Sequence, residues 1–257
     1  MLPGWDAAAL LEEVLVPPRH AFVPMPGIRV IERPGWRQLI TPWLKDGKLN
    51  GVSLSVLGAH EADAVIDATI GEYRALGLQF RWGVPPGSAP ADLGERLAAR
   101  GLTPRSIVGM ARLTAGVSEA APPDIDVVDV GPERVDEFTR IAARGWDSDP
   151  EPFGTLNRAS VAQPEAGMRL YLASLGGQPA AAAACKLFPR SAYLLGGVVL
   201  PAARHHGLYR ALVNARLRAA AARGIELATS QAFEETSAPL LERLGFVRVC
   251  RFTVYQG

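Results

Sequence analysis

The chain is 257 residues long, 48% hydrophobic and 21% charged, with a net charge of +1 at pH 7. That length allows one large domain or two of about 100 to 150 residues, and the near-neutral balance gives no electrostatic ground for nucleic acid as a partner. No apolar run reaches the roughly 18 residues of a membrane span, and the opening MLPGWDAAALLEEV carries acids where a secretory signal is basic and then apolar, so a cytoplasmic location without membrane contact is expected.

In chain order the first half reads as strand 51–57 (GVSLSVL), helix 65–77 (VIDATIGEYRALG) and strand 78–84 (LQFRWGV). Ser88-Ala89-Pro90 follows, then Leu93, Glu95-Arg96-Leu97 and Gly101-Leu102. Residues 114–124 (TAGVSEAAPPD) are small, polar and proline-rich, which marks a linker. Beyond it come a strand from Ile125, a helix from Pro132 and a meander of three strands at 168–177, 179–188 and 191–200. A helix over 206–223 keeps Leu208, Leu212, Val213, Ala215, Leu217 and Ala220 at helical spacing and stops at Gly224. Strand 225–232, a short helix at 237–245 and strand 246–255 close the chain.

The second half echoes the first. Strand, helix ending in glycine and strand recur in that order, followed by Ser237-Ala238-Pro239, Leu241, Glu242-Arg243-Leu244 and Gly245-Phe246, the first copy carrying five extra residues. An ordered series of this kind points to a tandem duplication. The expected architecture is two α/β domains, 1–115 and 124–257, each a mixed, mostly antiparallel sheet flanked by helices.

The copies part at the turn between strand and helix. The first has Gly58-Ala59-His60-Glu61-Ala62-Asp63, the second Arg204-His205-His206-Gly207, and no Asp or Glu occurs from 201 to 225. Helix N-termini ordinarily carry an acid or hydroxyl, because free N–H groups and the positive dipole end favour one. Left open and flanked by Arg204 and Arg210, the second turn is built to receive an anion. Metal chemistry has no comparable signal: Cys185 and Cys250 sit in apolar strands as small hydrophobes, His20 and His60 are isolated, and no zinc spacing is present.

This order of elements, with Arg204-His205-His206-Gly207-Leu208-Tyr209 after Val199-Leu200-Pro201 and LeuGlyPhe at 244–246, resembles the GNAT N-acetyltransferase superfamily over 124–257 and, more faintly, over 28–113. The resemblance implies acetyl-CoA as co-substrate, its pantetheine arm paired with the strand edge at Gly197, Val198 and Val199, and its pyrophosphate held by the amides of Arg204, His205, His206, Gly207, Leu208, Tyr209 and Arg210. It implies a degenerate first domain that lacks the phosphate loop. Three positions depart from the family pattern: Tyr209 in place of Gly or Ala, Glu234 where Asn is frequent, and Leu241 where many members carry the Tyr that protonates the departing thiolate.

Acetyl transfer from a thioester to an amine needs a neutral amine, a donor for the developing oxyanion and a proton for the sulfur. Glu234 and Tyr193 are the candidate base and acid. Trp146 and Asp147, in the stretch GWDSDPEPFG with Asp149, Glu151 and Phe153, are candidates to hold an amine cation, a solvent-facing acidic loop being the competing reading. Trp36, Trp43 and Trp82 offer a wall from the first domain, with core packing as their ordinary use. The leading expectation is an enzyme that N-acetylates the primary amine of a small molecule, as monomer or homodimer. A non-catalytic acyl-CoA sensor and an association scaffold with the loop closed by Tyr209 stand beside it.

Overall fold

The structure, a computed structural model, describes residues 2–117 and 122–257; the centre of the expected linker, 118–121, lies outside the described residues. In chain order the elements are α1 (Ala7–Leu15), β1 (Arg29–Arg33), β2 (Trp36–Ile40), β3 (Asp46–Ser55), α2 (Ala62–Ala75), β4 (Gln79–Val84), α3 (Leu93–Ala99), β5 (Thr103–Leu113), β6 (Ile125–Asp129), α4 (Val135–Trp146), α5 (Pro150–Ala162), β7 (Met168–Leu175), β8 (Gln178–Leu187), β9 (Ser191–Val199), α6 (Leu208–Ala221), β10 (Leu227–Phe233), α7 (Ala238–Arg243) and β11 (Val247–Gln256). Each element read from the sequence is present, and α1, β1, β2, β5 and α5 are additional. α5 begins inside the expected acidic loop, because Asp149 caps it by accepting from the Glu151 amide at 3.0 Å and Pro150 supplies a preset first turn.

The chain forms two compact units. The larger is built from Met1–Val23, Met110–Gln231 and Leu241–Val249, the smaller from Pro24–Gly109, Ala232–Leu240 and Cys250–Gly257. Neither is a contiguous half of the sequence. α1 belongs to the larger unit, where the buried Glu13 carboxylate accepts from Ser191 Oγ at 2.6 Å and Gln231 Nε2 donates to Val14 O at 2.9 Å. The end of β11 belongs to the smaller unit, paired antiparallel with β4 so that Thr253 faces Val84.

Both units repeat one plan. In the larger, β6, β7, β8 and β9 run as an antiparallel meander, and β9, α6 and β10 form a parallel crossover. In the smaller, β1, β2 and β3 are the meander, and β3, α2 and β4 the crossover. The Gly176-Gly177 pair joins β7 to β8 with both residues at positive φ, 54° and 77°, the two-residue hairpin geometry that glycine takes without strain. The alanine run of β8 keeps the centre of the larger sheet thin. α4 packs Val135 and Phe138 onto Leu170, Leu172 and Ala182 on one face, while α6 lies along β7, β8 and β9.

The smaller unit's core holds Trp36 and Trp82 in an edge-to-face pair at 5.5 Å, with Trp82 Nε1 donating to Ser55 Oγ at 3.0 Å. These two tryptophans are core residues. Ser191→Ala in the larger unit strips a donor from the buried Glu13 carboxylate and leaves Arg190, at 3.4 Å, as its ion-pair partner. Chemical denaturation should show a loss of about 1–3 kcal/mol, the usual cost of a buried polar group short of a partner.

Candidate functional site

β9 and β10 pair in parallel only at Ser191, Ala192 and Tyr193, opposite Leu227, Ala228 and Thr229. Past that point the strands part, with Ser230 Oγ donating to Leu194 O at 2.9 Å at the apex. The free stretch of β9 begins with a bulge: Ala182 faces Val198 while Ala184 faces Leu195, so Gly196 and Gly197 together stand against Ala183. The Leu200 amide donates to Ala180 O on the β8 side at 2.9 Å. Strand alternation therefore turns the N–H and C=O of Val199 the other way, to the side that β10 has left. Arg204 Nε reaches Val199 O there at 3.4 Å.

The turn into α6 continues this surface. His205 has φ 70°, and Gly207, the residue before the helix, has φ 95° with no side-chain cap on the first turn. Among the described residues, the amides of His205, His206, Gly207, Leu208, Tyr209 and Arg210 find no acceptor, and Arg204 and Arg210 have no carboxylate partner. Six adjacent free donors, the dipole of a 14-residue helix and two exposed guanidinium groups converge on one turn. Leu208 contributes its amide alone, since its side chain is buried in the core. Tyr209 turns its ring toward β9, Cε2 lying 3.1 Å from where a Cβ on Gly197 would stand, so its bulk points away from the free amides. Burial raises the Tyr209 hydroxyl's pKa, partly countered by the nearby Arg216 guanidinium.

The end of α4 meets the same strand. A Cβ on Gly145 would overlap Val198 Cγ2 and stand 3.0 Å from Cγ1, so glycine is what lets helix and strand touch. Trp146 and Asp147 come directly after this contact, Trp146 being 42% exposed and Asp147 holding the left-handed C-cap at φ 50°. Asp147 and His205 are the non-glycine residues at positive φ among the described residues, and both border the splayed edge. Replacing Asp147 with Gly should relieve roughly 1 kcal/mol of backbone strain and raise Tm by a few degrees in a melting experiment.

The candidate acid and base are placed differently. Tyr193 sits at the apex, half-buried in the last pair before the strands part, opposite Thr229 and Lys186. Lys186, buried beside it, donates Nζ to Phe22 O at 3.0 Å and to Ala166 O, and desolvation lowers its pKa. Glu234 lies in the smaller unit with its carboxylate on Arg251 Nη2 at 2.7 Å. Any service as a base would first break that ion pair. Leu241 is buried.

The smaller unit fills the matching edge with its own chain. Beyond the Val52 and Trp82 pair, the Ala89 amide donates to Ser55 O and the Leu57 amide to Ala89 O, each at 3.0 Å, so Ala89 makes a single parallel bridge opposite Val56 just past the end of β3. Its helix turn is closed as well: Glu61 Oε1 accepts from the Gly58 amide at 3.0 Å, and Asp63 pairs with Arg96 at 2.6 Å and Arg100 at 2.9 Å.

Sequence reading did not reach Gly145, the bulge, or Arg216, which takes the inward position on α6 that helical spacing assigned to the half-exposed Ala215. Its separation from Leu212 and Ala220 by one turn each was the available signal. Among the described residues no cluster of His, Cys, Asp and Glu has metal-site geometry, and no helix is long and apolar enough to cross a membrane.

Residues 135–246 match the model of the acetyltransferase (GNAT) family, which makes this segment a GNAT domain. Among solved structures, a GCN5-related N-acetyltransferase from Kribbella flavida is similar at 17% identity and TM-score 0.67, covering 99% of this chain and 95% of that one. A functionally unknown conserved protein from Staphylococcus epidermidis is similar at 13% identity and TM-score 0.67, covering 91% and 94%. A tandem GNAT protein from the clavulanic acid biosynthesis pathway is similar at 16% identity and TM-score 0.61, covering 99% and 90%. The tandem GNAT fold is thus shared along nearly the whole chain. No curated protein matches it.

Proposed function

We propose that the larger unit binds acetyl-CoA and transfers its acetyl group directly to the primary amine of a small molecule in the cytoplasm. The observation that carries this reading is the pairing of the open edge of β9 at Val199 with the amides of 205–210, which find no acceptor among the described residues, while the Arg204 amide is taken by Pro201 O at 3.3 Å. The pyrophosphate would lie on the amides of 205–210 beside Arg204 and Arg210, and the pantetheine amides would take the strand position that β10 vacates.

In the transfer, the neutral amine nitrogen attacks the thioester carbonyl carbon. A C–N bond forms and the C–S bond breaks with its electron pair going to sulfur. The nitrogen's proton leaves to a base or solvent, and the thiolate takes a proton, giving an amide and the CoA thiol. The Val199 N–H, turned to the open side, is placed to polarise the carbonyl. Tyr193, at the apex of the splayed strands, is the candidate proposed to return the proton, and Asp147 and Trp146 are proposed to hold the amine cation. Positioning alone can supply about 7 kcal/mol or more of barrier lowering, so a reactive acceptor needs little further help.

The smaller unit, with Ala89 on its strand edge and Glu61 on its helix turn, is read as a sister domain that holds no cofactor. Titration calorimetry with acetyl-CoA should therefore give one site per chain, and release of CoA thiol against a panel of primary amines tests turnover. The absence of binding would remove the reading. A second reading, a sensor that binds acyl-CoA without turnover, draws on the buried Leu241 and on Glu234 held by Arg251. Binding without thiol release for any amine would favour it.

A further inference from the structure

Arg216 lies on the inward face of α6, 2% exposed. Its Nε donates to Leu212 O of its own helix at 3.0 Å, and Nη1 donates to Ala184 O at 3.0 Å and to Leu195 O at 3.4 Å. Those two carbonyls belong to the residues that face each other where the β8–β9 register slips. A bulge breaks the ladder at such a point, and carbonyls there need a donor from elsewhere. Nη2 extends toward the bulge itself, 3.9 Å from where a Cβ on Gly197 would stand.

No carboxylate pairs with this guanidinium among the described residues. Its titratable neighbours are Tyr209, Cys185 and Tyr171, and burial holds all three in their neutral forms, pushing the Cys185 thiol up to about 12. A buried charge without a counter-ion destabilises a fold, and an apolar residue would suit this position better on stability grounds alone. Its positive field is directed at the strand edge on which the proposed thioester would lie. Donation to Leu195 O also polarises the peptide group that Leu195 shares with the Gly196 N–H, an effect that low dielectric strengthens.

We propose that Arg216 is a positioning residue for acyl transfer: from behind the sheet it holds the bulge that presents the free edge of β9, and its unpaired charge strengthens that edge as a donor to the thioester carbonyl. This rests on the acetyl-CoA reading above. The test is isotope-edited infrared spectroscopy of acetyl-CoA carrying 13C at the thioester carbonyl, bound to the wild-type protein, Arg216→Met and Arg216→Lys, with calorimetry on the same samples. Wild-type protein should lower the carbonyl stretch relative to free acetyl-CoA. Arg216→Met, measured at acetyl-CoA concentrations that calorimetry shows to saturate it, should lose most of that shift, and Arg216→Lys, which keeps the charge but not the fork, should retain about half. A purely structural role would lower the melting temperature without moving the frequency of the bound ligand. A full wild-type shift in the methionine variant, or in the lysine variant if the first does not fold, overturns the proposal while leaving the cofactor reading intact. Failure of the wild-type protein to bind acetyl-CoA overturns both.

Discussion

Gly207→Glu should weaken CoA binding at least about a hundredfold, roughly 2.7 kcal/mol, while the circular dichroism spectrum of the protein stays unchanged. Gly207 has φ 95°, and among the described residues a Cβ there would meet Ile125 Cδ1 at 3.7 Å and Pro122 Cγ at 3.9 Å. Both are ordinary contact distances, and the new carboxylate enters a turn whose amides at 205–210 find no acceptor among the described residues. Part of the loss comes from forcing a side chain into left-handed backbone, at about 1–2 kcal/mol. Gly207→Ala isolates that part. Calorimetric titration of both variants with CoA should show a clearly larger loss for glutamate, and equal losses would mean that the turn does not hold the anionic end of the cofactor.

Gly145→Ala should destabilise the larger unit although alanine is the better helix former. Propensity favours the substitution by up to about 1 kcal/mol, but the added methyl would occupy the position of Val198 Cγ2. Overpacking of this kind costs about 1–3 kcal/mol, so the balance is a net loss and a Tm lower by several degrees. Val198 is also the neighbour of the Val199 donor, and displacing it should weaken acetyl-CoA binding about tenfold. Val198→Ala in the same chain removes the obstruction, and the double variant should recover most of the stability and affinity. A double-mutant cycle with no coupling between the two positions would place the cause elsewhere.

The elements around the candidate site were legible because their signals are local. The meander of β7, β8 and β9 shows in alternation and in Gly176-Gly177, and the open turn before α6 shows in the lack of any acid between 201 and 225. What escaped sequence reading depends on neighbours brought in from far along the chain. Gly145 looks like an ordinary late-helix glycine until Val198 is set against it. Arg216 looks like one more basic residue on a basic helix until the register slip of β9 is known. β1 and β2 carry charged residues, among them Arg33 and Arg37, that break the apolar pattern a strand reading needs. α5 was hidden because the same acids and prolines that suggest a loop also make a good helix start at Asp149-Pro150.

The pairing of β11 with β4 has a consequence for biosynthesis. A ribosome delivers Gln79–Val84 long before Thr253, so β4 has no antiparallel neighbour at Val84 until synthesis has reached β11. The same holds in reverse for Glu13, whose Ser191 donor emerges much later. Domains of a nascent chain commonly complete their folding in order of synthesis, at about 5–20 residues per second. Here the early-made unit must wait with an open strand edge until the last strand arrives, so the two units finish folding close together in time and a nascent chain arrested after 245 would leave the first of them incomplete.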